Sequence, residues 1–127
     1  MSNILREARR HEEIAEQLIP DHARPRFHLS SRVGWMNDPN GFSYYQGKYH
    51  LFHQYYPYES KWGPMHWAHA VSQDLLHWEY LPAALAPDTL PDKDGCFSVS
   101  AVELADGRQL FIYTGVSAGP TLPDGTS

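Results

Sequence analysis

Asp38 lies in the run Trp35-Met36-Asn37-Asp38-Pro39-Asn40-Gly41, which sets one carboxylate in a backbone with little freedom. Pro39 has no N–H, and its ring biases Asp38 away from the helical region toward extended geometry. Asn40 and Gly41 tolerate positive φ, so the chain is expected to reverse sharply there, with Asp38 at the mouth of the turn. Asn37 puts an amide with two donors and an acceptor beside the carboxylate, suited to a hydroxyl-rich ligand. Trp35 adds an aromatic face two residues upstream. A fixed carboxylate flanked by an amide and an indole suits cleavage of a sugar linkage. The same residues also make a very good β-turn, and the run by itself fits both readings.

Composition narrows the field. The chain has 127 residues, the size of one domain. Its formal net charge is −5, and no basic run is present, which speaks against a nucleic-acid partner. No apolar stretch approaches the ~20 residues needed to span a bilayer, and the N-terminus has no apolar signal core. With one cysteine, Cys96, a cytoplasmic home is the expectation. Of 17 aromatic residues, 13 fall between Trp35 and Tyr80, mixed with Asn, Gln, His and Asp. Some must be core, but Trp and Tyr faces in polar company also stack on sugar rings.

Those residues need elements to hold them. Asn3–Leu18 reads as a helix with Ile4, Ala8, Ala15 and Leu18 near one face and Ile14 and Ile19 widening the stripe; Pro20 ends it. Residues 1–26 are charge-neutral and read as a helical extension, while residues 27–127 carry the acidity and the body of the fold. Phe27-His28-Leu29 could form a short strand. After Asp38 the period becomes two: strands at Gly41–Tyr45 and Lys48–Tyr56 meet at a Gln46-Gly47 hairpin. Further strands are expected at Met65–Val71, His77–Leu81, Phe97–Leu104 and Arg108–Thr114. Pro82 and Pro87 open a long loop to Gly95, and the tail from Gly115 onward holds no strand. Four antiparallel strands, a linker and two more strands, covered on both faces, fit consecutive propeller blades better than a sandwich. One blade and half of the next cannot close a ring, so an exposed edge and apolar blade faces are expected.

The motifs together resemble the N-terminal portion of glycoside hydrolase family 32, the β-fructofuranosidases. The resemblance runs from about Arg26 to Thr114. It rests on Phe27-His28, the Trp35–Gly41 run, Tyr49-His50-Leu51-Phe52-His53-Gln54-Tyr55, Trp62-Gly63-Pro64-Met65-His66-Trp67, His69-Ala70-Val71-Ser72-Gln73-Asp74-Leu75 and Phe97-Ser98-Val99-Ser100-Ala101-Val102. It implies an all-β fold: an incomplete five-bladed β-propeller, the first blade plus about half of the second, preceded by an N-terminal α-helix. It implies a retaining enzyme on sucrose, sucrose 6-phosphate or another β-fructoside. In that reading Asp38 is the nucleophile, and Trp35, Met36, Asn37, Gln54, Trp62, Phe97 and Ser98 bind the small-molecule sugar. No cofactor and no metal is implied, and the resemblance is silent on oligomeric state.

Two departures stand out. The family's acid/base glutamate lies in a Glu-Cys motif and its transition-state stabiliser in an Arg-Asp-Pro motif; neither occurs in the chain. Cys96 follows Gly95, and Glu59, Glu79 and Glu103 lie outside any matching context. Val99 stands where glycine is more usual, which would narrow the pocket. A retaining glycosidase needs two carboxylates, so the chain alone is expected to be inactive, and a non-catalytic carbohydrate-binding fragment is the alternative. The eight histidines include His50-x-x-His53 and His66-x-x-His69. On strands these pairs point to opposite faces, which disfavours metal binding.

Overall fold

The computed structural model of the chain describes residues 1–119, and of Val99 the backbone alone. Its order is α1 (Asn3–Glu16), β1 (Trp35–Tyr45), β2 (Lys48–Tyr56), β3 (His66–Ser72), β4 (Trp78–Leu85), β5 (Gly95–Glu103) and β6 (Gln109–Val116). The first four strands form one antiparallel sheet in sequence order, and β5 and β6 form a separate pair. β5 packs against β1. A complete blade followed by the opening hairpin of a second is the arrangement expected from strand counting.

Several boundaries differ, each for a local reason. The Asp38 run is no reverse turn: β1 continues through it, with register breaks between Met36 and Pro39 and between Asn40 and Ser43. Residues that favour turns also favour bulges, which kink a strand without reversing it. Gly41 has φ +52°, and a Cβ there would meet the Phe52 ring at 3.1 Å, so the second break needs glycine. Pro82 does not end its strand, because β4 is the outer strand of the sheet and pairs with β3 alone. Phe27-His28-Leu29 forms no strand, whereas β6 runs on through Gly115 and Val116. Residues 120–127 of the strandless tail lie outside the described residues.

The helix departs most from its expected stripe. Ile4, Ile14 and Leu18 are exposed, and the buried positions of α1 are Ala8 and Glu12. Ala15 and Ile19 do pack on the body, against a cluster of Val33, Tyr55 and Ala68. The other face of the sheet holds Phe52, Trp67 and Cys96, joined by Ala84, Leu85, Phe111 and Tyr113, so this cluster binds the blade to the β5–β6 hairpin. Beyond it, Val102, Leu110 and Ile112 on β5 and β6 are exposed, as are Phe42 and Tyr44 on β1.

Sheet register also makes a contact that linear spacing hides. Phe52 opposes His69, which brings His50 and His69 together diagonally, with Nδ1 of one 2.9 Å from Nε2 of the other. Burial, reinforced by His50, lowers the His69 pKa to about 4. Burial likewise holds His53 and His66 below the ordinary 6.5. The unfolded chain, whose histidines titrate near 6.5, takes up protons first as pH falls. Stability from these groups is therefore complete above about pH 6.5 and lost as pH drops toward 4, on the order of 2 kcal/mol for His69. The denaturant midpoint should fall between about pH 7 and pH 5, less so in His69→Gln; parallel pH profiles for the two would contradict this.

Candidate active site

The bulged start of β1, the end of β2 and the start of β5 converge at one end of the sheet. Ser98 Oγ donates to Asp38 Oδ2 at 3.3 Å, across 60 residues of sequence. Gln54, 3% exposed, donates from Nε2 to Ser98 Oγ and to the Cys96 carbonyl, both at 3.3 Å. The Cys96 carbonyl accepts only, so it fixes which way the Gln54 amide faces and leaves its oxygen as the free end. Within β1, Trp35 Nε1 donates to Asn37 Oδ1 at 2.9 Å. That contact leaves the Asn37 NH₂ as its free end. The group therefore includes one amide with free donors, Asn37, one with a free acceptor, Gln54, and a carboxylate whose Oδ1 has no protein partner among the described residues. Such a set can hold vicinal hydroxyls while one carboxylate oxygen stays open for attack.

The supports are built from the backbone outward. Gly34, at φ +62°, leads into β1 so closely against β2 that a Cβ would lie 2.1 Å from the Tyr56 carbonyl. No other residue can bring Trp35 to Asp38 in along that path. Phe97 is carried beside Ser98, and its carbonyl accepts from Trp67 Nε1 at 3.2 Å. Beneath the strand, Asp92 accepts from Tyr113 Oη at 2.6 Å and from the Thr89 hydroxyl at 2.7 Å, with the Cys96 thiol 3.7 Å away. Burial raises the Asp92 carboxyl, but these donors outweigh it and the net shift is downward. The Cys96 thiol is pushed up to about 12 by burial and then by Asp92, so it is an inert core group.

Of the residues expected at the site, Asp38, Gln54 and Ser98 form one connected chain, with Asn37 and Trp35 coupled beside it. Met36 is half-buried and paired with Tyr55. Trp62 stands 57% exposed on the β2–β3 loop, with no hydrogen bond tying it to the group. The Val99 backbone pairs with Tyr113, while its side chain, expected to narrow the pocket, lies outside what is described. No second carboxylate joins the chain of contacts among the described residues. Glu59 pairs with Lys61 at 2.7 Å and Glu79 with Lys48 at 3.6 Å, while Glu103 opposes Gln109 near the far end of the hairpin. Sequence reading missed Asn40: it is 3% exposed, and neither amide atom has a partner among the described residues. Its type signalled a turn, and only the bulge turns it inward.

One complete blade, the opening of a second and a carboxylate on the edge strand β1 define part of a β-propeller domain with its candidate site at the blade ends. The model of the glycosyl hydrolases family 32 N-terminal domain matches residues 28–123, and the chain belongs to that family. A sucrose-6-phosphate hydrolase of Zymomonas mobilis is 49% identical over 113 residues, covering 89% of this chain and 22% of that protein. A levanase of Bacillus subtilis is 60% identical over 79 residues, 62% of this chain and 11% of that protein. Among solved structures, a β-fructofuranosidase of Bombyx mori superposes with a TM-score of 0.81 at 49% identity, over 93% of this chain and 24% of that one. The chain thus spans about a tenth to a fifth of the length of the curated relatives it matches.

Proposed function

We propose that this chain supplies the nucleophilic half of a retaining β-fructofuranosidase acting on sucrose or a related β-fructoside. The observation that carries the reading is the Gln54–Ser98–Asp38 chain, which leaves Asp38 Oδ1 without a protein partner among the described residues. Asp38 Oδ1 attacks the anomeric carbon of the fructosyl unit, and the bond to the leaving sugar's oxygen breaks. A second carboxylic acid protonates that oxygen, and later, as a base, it activates the water that releases fructose from Asp38. Asn37 and Gln54 hold the fructosyl hydroxyls, with Trp35, Met36, Trp62, Phe97 and Ser98 walling the pocket. The relatives support this substrate class: a sucrose-6-phosphate hydrolase, a raffinose invertase and a levanase, with a Bombyx mori mutant solved in complex with sucrose.

The acid has no counterpart among the residues around Asp38, and general acid catalysis contributes about 10²–10⁴-fold. That absence favours a second reading, a non-catalytic carbohydrate-binding fragment. Fructose release from sucrose separates the two. The 127-residue chain should release none, whereas the chain extended in frame through Arg-Asp-Pro and Glu-Cys motifs should turn over. An extended form that binds sucrose without cleaving it would favour the binding reading.

A further inference from the structure

Glu12 is a charged residue at one of the two buried positions of α1, 1% exposed, on a helix whose isoleucines face solvent. An exposed glutamate is unremarkable, whereas a buried one costs several kcal/mol unless it is paired. Its Oε2 accepts the Ala83 N–H of β4 at 3.0 Å and lies 3.7 Å from Arg32 Nη1. Its Oε1 has no partner among the described residues, nor has the Tyr55 hydroxyl of β2. Burial raises the Glu12 carboxyl, against the Ala83 N–H, Arg32, Tyr55 and Arg9, which favour its charged form. Burial first, and then Glu12, hold the Tyr55 hydroxyl far above its usual range. Replacing such a group by an apolar side chain often leaves stability unchanged or raises it, so stability alone does not explain a glutamate there.

The contacts around Glu12 lead to the site. Arg32, which Glu12 faces, donates to Glu16 at 2.9 and 2.7 Å, and its own carbonyl accepts from Arg24 at 2.6 Å. Two residues later Gly34 and Trp35 begin the strand that carries Asp38. Tyr55 follows Gln54 and pairs with Met36. On the same helix Arg9 donates to the Ala83 carbonyl at 2.9 Å, and His11 packs on Tyr58, ring centroids 5.0 Å apart, in the loop that bears Trp62. The helix thus packs on β4 and reaches, from behind, Arg32 ahead of the Asp38 strand, Tyr55 beside Gln54 and Tyr58 in the Trp62 loop.

We propose that Glu12 is a positioning residue: it registers α1 across the back of blade one and so sets the Asp38 strand, the Gln54 strand and the Trp62 loop relative to one another. The inference rests on the Asp38 reading for its functional meaning, but its test does not use activity. Amide hydrogen exchange is followed in the 127-residue chain and in its Glu12→Leu and Glu12→Gln variants. In Glu12→Leu, exchange in residues 33–38 and 54–62 should rise about tenfold while β5 and β6 keep their protection. Glu12→Gln, which keeps an acceptor for Ala83, should restore most of it. Unchanged exchange at 33–38 and 54–62, or a rise shared equally by β5 and β6, would overturn the proposal and leave α1 as a surface cap. Failure of the Asp38 assignment would show in turnover and leave these exchange rates untouched.

Discussion

Asp38→Asn, introduced into an enzyme that contains this chain and the missing acid, should abolish fructose release while leaving the fold intact. Asparagine keeps the shape of the side chain and can still contact Ser98, so the 3.3 Å link from Ser98 has a near-isosteric partner. What is lost is a carboxylate oxygen able to form and release an ester. Removing a covalent nucleophile typically costs roughly 10⁴-fold or more in turnover. The exposed position of Asp38 makes a folding defect an unconvincing cause of any loss, and an unchanged unfolding midpoint would verify that. Residual hydrolysis within about tenfold of wild type would sink the assignment.

Trp67→Ala should be the most damaging single change to the fold. Trp67 is 1% exposed, its ring lies between Phe52, Phe111 and Tyr113, and its indole N–H holds the Phe97 carbonyl. It is a central element of the cluster that joins the first blade to the β5–β6 hairpin. Truncating such a side chain costs about 3–5 kcal/mol, a large share of the roughly 5–15 kcal/mol that keeps a domain folded. The loss should fall mainly on the hairpin, whose Val102, Leu110 and Ile112 are exposed and add no apolar contact to replace it. Trp67→Phe, which keeps a ring but leaves the Phe97 carbonyl unpaired, should lose about 1–3 kcal/mol. Urea unfolding measures both. A Trp67→Ala variant that melts like wild type would show that the two strand groups are not joined through this cluster.

How much of this was legible beforehand depends on range in sequence. The Lys48–Tyr56 strand and its Gln46-Gly47 hairpin were legible because turn residues and alternation are local, and both hairpin residues do adopt positive φ, +48° and +79°. The Asp38 run misled because Asn, Asp, Pro and Gly mark both turns and bulges; only pairing with β2 decides between them. Pro82 misled for the complementary reason, since an outer strand tolerates a missing N–H and nothing local says which strand is outermost. Glu12 was invisible: hydrophobic periodicity counts a glutamate as solvent-facing, and its partners Arg32 and Ala83 lie 20 and 71 residues away. The same limit hid the His50–His69 contact. At the site, the composition of the Trp35–Gly41 run pointed to Asp38, but Gln54 and Ser98 were reached through family resemblance. The hydrogen bonds that join them are set by how β5 packs on β1 and β2.

The most direct measurement is acid quenching of the extended, sucrose-cleaving enzyme during turnover, followed by mass analysis of its peptides. A peptide containing Asp38 should carry the added mass of one fructosyl unit, with the label absent from Asp38→Asn. A label located on any other residue, while sucrose is being cleaved, would contradict the Asp38 assignment.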